Sequence, residues 1–158
     1  MPGERRGPVG WESENPYYEG RKHPEPTVCE RCGLVYRDGH WQRADSVPPE
    51  AHRSVCPACR REMDRYPGGY LFLRGEYWPR HWDEILNLIR NQEAQAQLSR
   101  PLHRILWVEP HDGEMEIATT TAHLARRLGK AIHSAHKGEL TIHQPKGEPL
   151  VRVVWQRD

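Results

Sequence analysis

The chain has 158 residues, of which 36% are hydrophobic and only one is Phe, and its formal net charge is +1 with neutral His. This length suggests one domain or two small ones, and it argues against a large enzyme with a deep cleft. The apolar content is low for one compact core, so we expect a tail, or a segment held together by metal. The near-zero net charge identifies no partner, so any nucleic-acid binding must depend on where the charges lie.

Membrane insertion and secretion are not expected from the hydropathy pattern. No apolar run approaches the roughly 18 residues of a membrane-spanning helix, and the N-terminus lacks the apolar region of a signal peptide. We therefore predict a soluble, cytoplasmic protein. In a reducing cytoplasm, four Cys in two pairs are more often metal ligands than disulfides.

Residues 1–26 are predicted to be a flexible tail, because they are rich in Gly and Pro and show neither a helical nor a strand period. Three aromatic residues in this segment are unusual for a tail: Trp11, Tyr17 and Tyr18. Two interpretations remain open: they pack back on the folded part of the chain, or the segment orders on a protein partner.

Residues 27–66 contain the pairs Cys29-x2-Cys32 and Cys56-x2-Cys59. Two residues between thiolates allow both sulfur atoms to turn toward one ion, and two such pairs complete the tetrahedral shell of structural zinc. Gly33 follows Cys32, where a residue without Cβ crowding is favoured. The pattern predicts a zinc-ribbon module holding one structural Zn2+. Four thiolates leave no open coordination position, so we do not expect this metal to be catalytic.

Redox, iron–sulfur and disulfide roles are the alternatives for these cysteines. A thioredoxin-like pair follows a strand and opens a helix within a βαβ unit, and neither pair is predicted to do so. Four-cysteine iron–sulfur clusters use closer or different spacings. Structural zinc is therefore the favoured interpretation.

Residues 67–99 are predicted to form a short strand and a connecting helix. Gly68-Gly69 indicates a turn before the apolar run Tyr70–Leu73. A helix is predicted over residues 81–98, which ends before Pro101. Its apolar positions recur at spacings of three and four and lie on one face: Trp82, Ile85, Leu86 and Ile89.

Residues 100–158 are predicted to form a ββαββ module, an antiparallel sheet with one helix across it, so the fold class is α+β. Gly113 and Gly147 indicate turns, and Gly138 lies where a helix-terminating glycine is favoured. The predicted elements are strands at 102–108 and 114–119, a helix at about 120–137, and strands at 139–143 and 150–156.

The helix of this module has a polar face of one charge sign. At 100° per residue, its apolar arc contains Leu124, Leu128, Ala131, Ile132 and Ala135. The opposite arc has no acidic residue and contains His123, Arg126, Arg127, Lys130, His133 and Lys137. Exposed helix faces usually mix signs, so this stripe predicts phosphate contacts and an RNA-docking role. The alternative is a solvated face whose cations also favour the helix C-terminus.

No spacing in the chain indicates catalysis. A Ser-His-Asp grouping, a P-loop and a Gly-rich dinucleotide turn are all missing from the sequence. We therefore predict a protein that is not an enzyme and has no small-molecule substrate. An enzyme would require His103, His111 and His143 to meet around an open metal site, which the sequence cannot decide.

Three pieces of the chain resemble the nonsense-mediated decay protein three family, whose members are adaptors that bind the large ribosomal subunit. They are the pairs with Cys32-Gly33 and Cys56-Pro57, the turn Pro67–Tyr70 that leads into Leu73-Arg74-Gly75, and Ala118–Leu140. The third piece contains TTTAHLARRLGKAIHSAHKGEL, which, with the later VRVVW, is similar to archaeal members. A separate stretch at residues 84–93, EILNLIRNQE, is similar to short bacterial relatives. The resemblance spans about residues 27–157. The family usually has more than one CxxC set and a further C-terminal domain, and the transport signals of eukaryotic members do not appear here.

The resemblance implies contact with large-subunit ribosomal RNA, as a factor in assembly, quality control or dormancy that acts by docking. By analogy, Arg126, Arg127, Lys130 and Lys137 would contact phosphates. The alternative function is a zinc-ribbon protein–protein adaptor, for example in transcription. Its docking surface would be apolar, built on Trp41, Trp78 and Trp82.

Overall fold

The computed structural model describes residues 23–158, so Trp11, Tyr17 and Tyr18 lie outside the described part of the chain. Residues 23–158 form an α+β structure with nine strands and four helices, arranged in two compact units that divide between Asp64 and Arg65. No helix in this range is long and apolar enough to cross a membrane.

The N-terminal unit contains a four-stranded mixed sheet and one helix. Its sheet has the order β3-β2-β1-β4, in which β1 runs antiparallel to β2 and parallel to β4. Val35, Tyr36 and Trp41 are buried. The elements are β1 Thr27–Cys29, β2 Val35–Arg37, β3 His40–Gln42, β4 His52–Ser54 and α1 Pro57–Asp64.

The last four residues of the predicted tail, 23–26, contact this small sheet. The ring of His23 lies 5.0 Å from that of Tyr36 and 5.2 Å from that of Trp41. The carboxylate of Glu25 accepts hydrogen bonds from the backbone N–H groups of Asp38, at 2.8 Å, and Gly39, at 3.3 Å. Residues 23–26 are therefore packed on the N-terminal unit.

The C-terminal unit is a five-stranded sheet with helices packed on it. Both helices predicted from periodicity are present, with slightly different ends. The elements are β5 Gly69–Arg74, α2 Tyr77–Arg80, α3 Trp82–Ser99, β6 Ile105–His111, β7 Glu114–Thr119, α4 Ala122–His136, β8 Glu139–His143 and β9 Val151–Gln156.

This sheet is mixed, which corrects the prediction of an antiparallel sheet built from residues 100–158 alone. The strand order is β6-β7-β5-β9-β8, so β5 lies at the centre, between β7 and β9. It pairs antiparallel with β7 but parallel with β9, where Gly69 is opposite Val151. The predicted connecting segment therefore belongs to the same sheet as the predicted RNA-docking module.

One face of the sheet forms the core with α3 and α4. Alternate residues of β5 and β9 are fully buried on this face, as their period of two requires. The core includes Leu71, Leu73, Ile117, Val153 and Trp155 from the sheet, and Ile85, Ile89, Leu124, Leu128 and Ile132 from the helices.

The ends of α4 are set by local chemistry. The hydroxyl of Thr121 accepts a hydrogen bond from the backbone N–H of Leu124 at 3.1 Å, which is an N-cap. Lys137 and Gly138 follow the helix with φ of 62° and 83°, and glycine is favoured in this conformation. The buried stripe of α4 is rotated from the predicted one, because Ala125 and Gly129 are buried whereas Ala135 is exposed.

Candidate metal centre and basic helix face

The side chains of Cys29, Cys32, Cys56 and Cys59 converge in the N-terminal unit. Their four sulfur atoms all lie within 4.8 Å of one another. The sulfur of Cys29 is 3.8 Å from that of Cys59, and the sulfur of Cys32 is 3.7 Å from that of Cys56. Cys32 is the exposed member, and the other three are buried. These distances exceed the roughly 2.05 Å of a disulfide bond.

Backbone geometry brings the first pair toward the site. The strand β1 ends at Cys29, whose N–H donates to the carbonyl of Leu34 at 2.7 Å and whose carbonyl accepts from Gly33 at 2.9 Å. Gly33 has a φ of 83°, and an added Cβ atom would meet nothing within 4 Å. The glycine is therefore favoured by its left-handed backbone conformation, whereas the predicted reason, crowding at the Cβ position, is wrong.

The second pair differs from the prediction, because Cys56 follows β4 and the next residue, Pro57, begins α1. Pro at the first helical position is favourable, since its missing N–H would have no helical partner. Cys56–Cys59 therefore follows a strand and opens a helix, but β4 and the next strand, β5, belong to different sheets, so the pair does not lie within a βαβ unit. The redox interpretation is also opposed by the two further sulfur atoms that share this site.

The four sulfur atoms fit a tetrahedral metal ion. Metal–sulfur bonds of about 2.3 Å in a tetrahedron place neighbouring sulfur atoms about 3.8 Å apart, and the two closest pairs match this separation. Backbone N–H groups point at the sulfur atoms, since Cys56 donates to Cys29 Sγ at 3.3 Å and Cys59 donates to Cys56 Sγ at 3.4 Å. Such outer hydrogen bonds orient metal ligands and stabilise thiolates. The four cysteines can therefore hold a structural metal ion.

The electrostatics of this cluster also favour a cation. The hydrogen bond with the Cys32 thiol, together with burial, raises the pKa of the Cys56 thiol. Four thiolates so close together would repel one another without a positive ion, whereas coordination to a divalent ion deprotonates a thiol. At the margin of the site, Arg31 donates to the carbonyl of Cys59 at 3.4 Å and lies 3.9 Å from the carboxylate of Glu62.

The six residues of the predicted basic stripe lie on the side of α4 opposite its buried face, and we call them the basic face. His123, Lys130, His133 and Lys137 are exposed, and Arg126 and Arg127 are half-buried. Within residues 23–158, none of the six forms an ion pair with a carboxylate. The structure therefore leaves this face cationic.

Contacts with neighbouring elements hold several of these side chains. Arg126 donates to the side-chain carbonyl of Gln144. Arg127 donates to the side-chain carbonyls of two residues on α3, Gln92 at 2.8 Å and Gln95 at 3.4 Å. The two arginines are thus oriented by neutral amides that leave their charge uncompensated.

The structure adds His103 to this region, which sequence reasoning did not connect with the basic face. Its ring centroid lies 5.4 Å from that of His123. Burial, with a further contribution from the nearby charges of His123, Arg100 and Arg127, lowers the pKa of His103 to about 4. No local spacing links residue 103 to residue 123, so only the tertiary contact identifies the pair.

Neither the three histidines of the enzyme alternative nor the three tryptophans of the adaptor alternative come together in a site. His111 lies on β6 and His143 on β8, at opposite edges of the sheet. In the described part of the chain, the cysteine cluster is the one group of three or more residues placed to hold a metal. Trp41 is buried, and Trp78 and Trp82 are partly buried against the core, so the three tryptophans do not form an exposed apolar surface.

Known proteins give no relative for comparison: no family model matches the chain, and neither a curated protein nor a solved structure is significantly similar to it.

Proposed function

We propose that this protein binds structured RNA through the basic face of α4, without catalysis, and that one structural zinc ion holds its N-terminal unit together. The observation that carries the proposal is one set of basic side chains with no acidic residue among them, four of them exposed and two half-buried: His123, Arg126, Arg127, Lys130, His133 and Lys137. Four of these residues are permanently charged near neutral pH, and phosphate backbones attract such groups.

The shape of the basic face suits a phosphate backbone. From His123 to His136, where α4 ends, the helix rises about 20 Å, and Lys137 follows directly; this length is enough to contact several successive phosphates. A helix capped at Thr121 and packed on the sheet presents these charges at fixed positions. Arg127 is also held by Gln92 and Gln95, so less side-chain entropy is lost on binding.

Zinc is the proposed ion because four thiolates in a closed tetrahedral shell are its preferred structural ligands. The N-terminal unit has strands of only three residues each, and such short strands bury little apolar surface. Metal binding would therefore supply much of the folding free energy of this zinc-ribbon module.

The proposed RNA is that of the large ribosomal subunit, and the proposed location is the cytoplasm. The resemblance of residues 27–157 to the nonsense-mediated decay protein three family supports this choice. A factor in assembly, quality control or dormancy would act by occupying a ribosomal site.

The experiment is co-sedimentation of the purified protein with 30S, 50S and 70S particles over a salt series. The test variant is Arg126→Glu/Arg127→Glu/Lys130→Glu. The matched control, Arg53→Glu/Arg80→Glu/Arg152→Glu, makes the same change in charge at three exposed arginines outside α4. We expect saturable, salt-sensitive binding to 50S or 70S particles that the test variant loses and the control retains.

Equal losses of binding in the two variants would contradict a specific role for the basic face, since binding would then depend on overall charge. Binding to unrelated structured RNA but to no ribosomal particle would contradict the assignment to the ribosome and would still support binding of structured RNA. Failure to bind any RNA near physiological salt would overturn the proposal and favour the protein–protein adaptor.

A further inference from the structure

Four basic side chains lie near the point where the loop between α3 and β6 approaches the start of α4. Arg100 and His103 come from the loop, and His123 and Arg127 come from the helix. The rings of His103 and His123 are 5.4 Å apart, and the charges of Arg100 and Arg127 are close enough to act on His103. We call this group the junction cluster.

The loop that carries His103 is fixed by Thr120, which is 2% exposed. The hydroxyl of Thr120 donates to the carbonyl of Leu102 at 2.8 Å and accepts from the N–H of Arg104 at 3.0 Å. The N–H of His103 itself donates to the carbonyl of Arg100 at 3.0 Å. Both residues that flank His103 are therefore tied to the end of β7, directly before α4.

Like charges at this junction need a counter-charge. The carboxylate of Glu93, on α3, already has partners, because it accepts from the N–H of Ile105 at 2.7 Å and pairs with Arg90 at 3.5 Å. His103 Nδ1 is buried and has no hydrogen-bond partner among the described residues. His103 is neutral at pH 7, so its ring can serve as a neutral hydrogen-bond donor beside two permanent cations.

We propose that Arg100, His103, His123 and Arg127 bind one phosphate group. Arginines supply the charge and the imidazoles supply N–H donors, which is the chemistry that recognises phosphate oxygens. The group is either free inorganic phosphate or a backbone phosphate of RNA. Its assignment to RNA rests on the proposed function, because two of the four residues belong to the basic face.

The first arm titrates inorganic phosphate at pH 7 and constant ionic strength into the full-length protein, followed by NMR of the imidazole and backbone amide nitrogens. We expect saturable shifts at His103 and His123. The adjacent residues Arg126 and Arg127 provide a matched pair, since each variant removes one charge from the same helix. Arg127→Gln should weaken phosphate binding about tenfold, as expected for the loss of a charge-assisted hydrogen bond, and Arg126→Gln should change it little.

A second variant keeps the test valid if Arg127→Gln does not fold, because Arg127 also contacts α3. Arg100 is exposed, and Arg100→Gln should weaken phosphate binding to a similar extent. Shifts that do not saturate, or that decrease equally in Arg126→Gln and Arg127→Gln, would overturn the proposal and indicate non-specific charge attraction.

The second arm repeats the phosphate titration with the protein bound to a structured RNA. If the RNA supplies the phosphate, RNA alone should shift His103 and His123, and inorganic phosphate should then cause no further change. If RNA binds elsewhere and inorganic phosphate still saturates the cluster, the site holds free phosphate and its assignment to RNA is wrong. If the protein binds RNA but inorganic phosphate has no effect, the junction cluster is not a phosphate site and the proposed function stands. If it binds phosphate but no RNA, the junction cluster stands as a phosphate site and the proposed function is wrong.

Discussion

Gly129 of α4 lies directly against Val153 of β9, so closely that a Cβ atom at residue 129 would be 2.5 Å from Val153 Cγ1. The same Cβ atom would be 3.1 Å from Leu140 Cδ1. A glycine in the middle of a helix normally destabilises it by about 1 kcal/mol relative to Ala. Here the absence of a Cβ atom allows α4 to pack closely on the sheet, and this packing offsets the low helix propensity of glycine.

Gly129→Ala should lower the free energy of unfolding by about 1 to 2 kcal/mol, because the strain of overpacking exceeds the gain in helix propensity. Urea unfolding followed by far-UV circular dichroism measures the change. Ser134→Ala is the control, since residue 134 is exposed on the same helix and should change stability by less than about 0.5 kcal/mol. A Gly129→Ala protein as stable as the original would show that the close contact is not a constraint.

Removal of the metal should unfold the N-terminal unit and spare the C-terminal one. Metal analysis of the purified protein should give about one zinc ion per chain. After chelation, or in Cys56→Ser, amide exchange should become fast in residues 27–64 and stay slow in β5–β9, since that sheet has its own core. Met63→Ser, at an exposed position of α1, is the control and should keep the ion. Slow exchange throughout the apo protein would refute a structural role for the metal.

Thr120→Val should destabilise the C-terminal unit by about 1 to 3 kcal/mol, because it leaves the carbonyl of Leu102 and the N–H of Arg104 without their hydrogen-bond partner. Thermal unfolding measures the loss. Thr141→Val, the same change at an exposed residue of β8, should have little effect. If the two variants were equally stable, Thr120 would not be what holds the loop of His103.

His103 should make stability depend on pH. Burial lowers the pKa of His103 from 6.5 to about 4, so between these values the unfolded chain binds a proton that the folded protein does not. Stability should therefore fall as the pH decreases from 6.5 toward 4, by about 1 to 2 kcal/mol once the screening at this half-buried site is allowed for.

Urea unfolding at several pH values between 7 and 5 compares the original protein with His103→Gln. The free energy of unfolding of His103→Gln should decline less steeply as the pH falls. Because acid acts on the cysteine cluster in both proteins, subtracting one curve from the other removes that effect. His143→Gln, at an exposed residue, should follow the original protein. Parallel curves for the original protein and His103→Gln would show that His103 does not carry the effect.

Features that depend on neighbouring residues were predicted correctly from the sequence. The spacing of the cysteine pairs predicted that four thiols would meet, the apolar period predicted α3, and Gly138 predicted the C-terminal end of α4. Both helix features are decided by contacts within a few residues along the chain, and the cysteine spacing is typical of one tetrahedral metal site, so a short pattern is sufficient.

Features that depend on partners far apart in the chain were decided only by the tertiary structure. The alternation in β5 specifies which side chains are buried, but it does not specify a neighbouring strand, so its parallel pairing with β9 and its central place in the sheet were missed. In the same way, no spacing brings His103 to His123, or Arg127 to Gln92. Local pattern thus determined most elements of the C-terminal unit and the spacing of the four cysteines, whereas the burial of shared apolar faces decided which strands pair and which basic side chains lie close together.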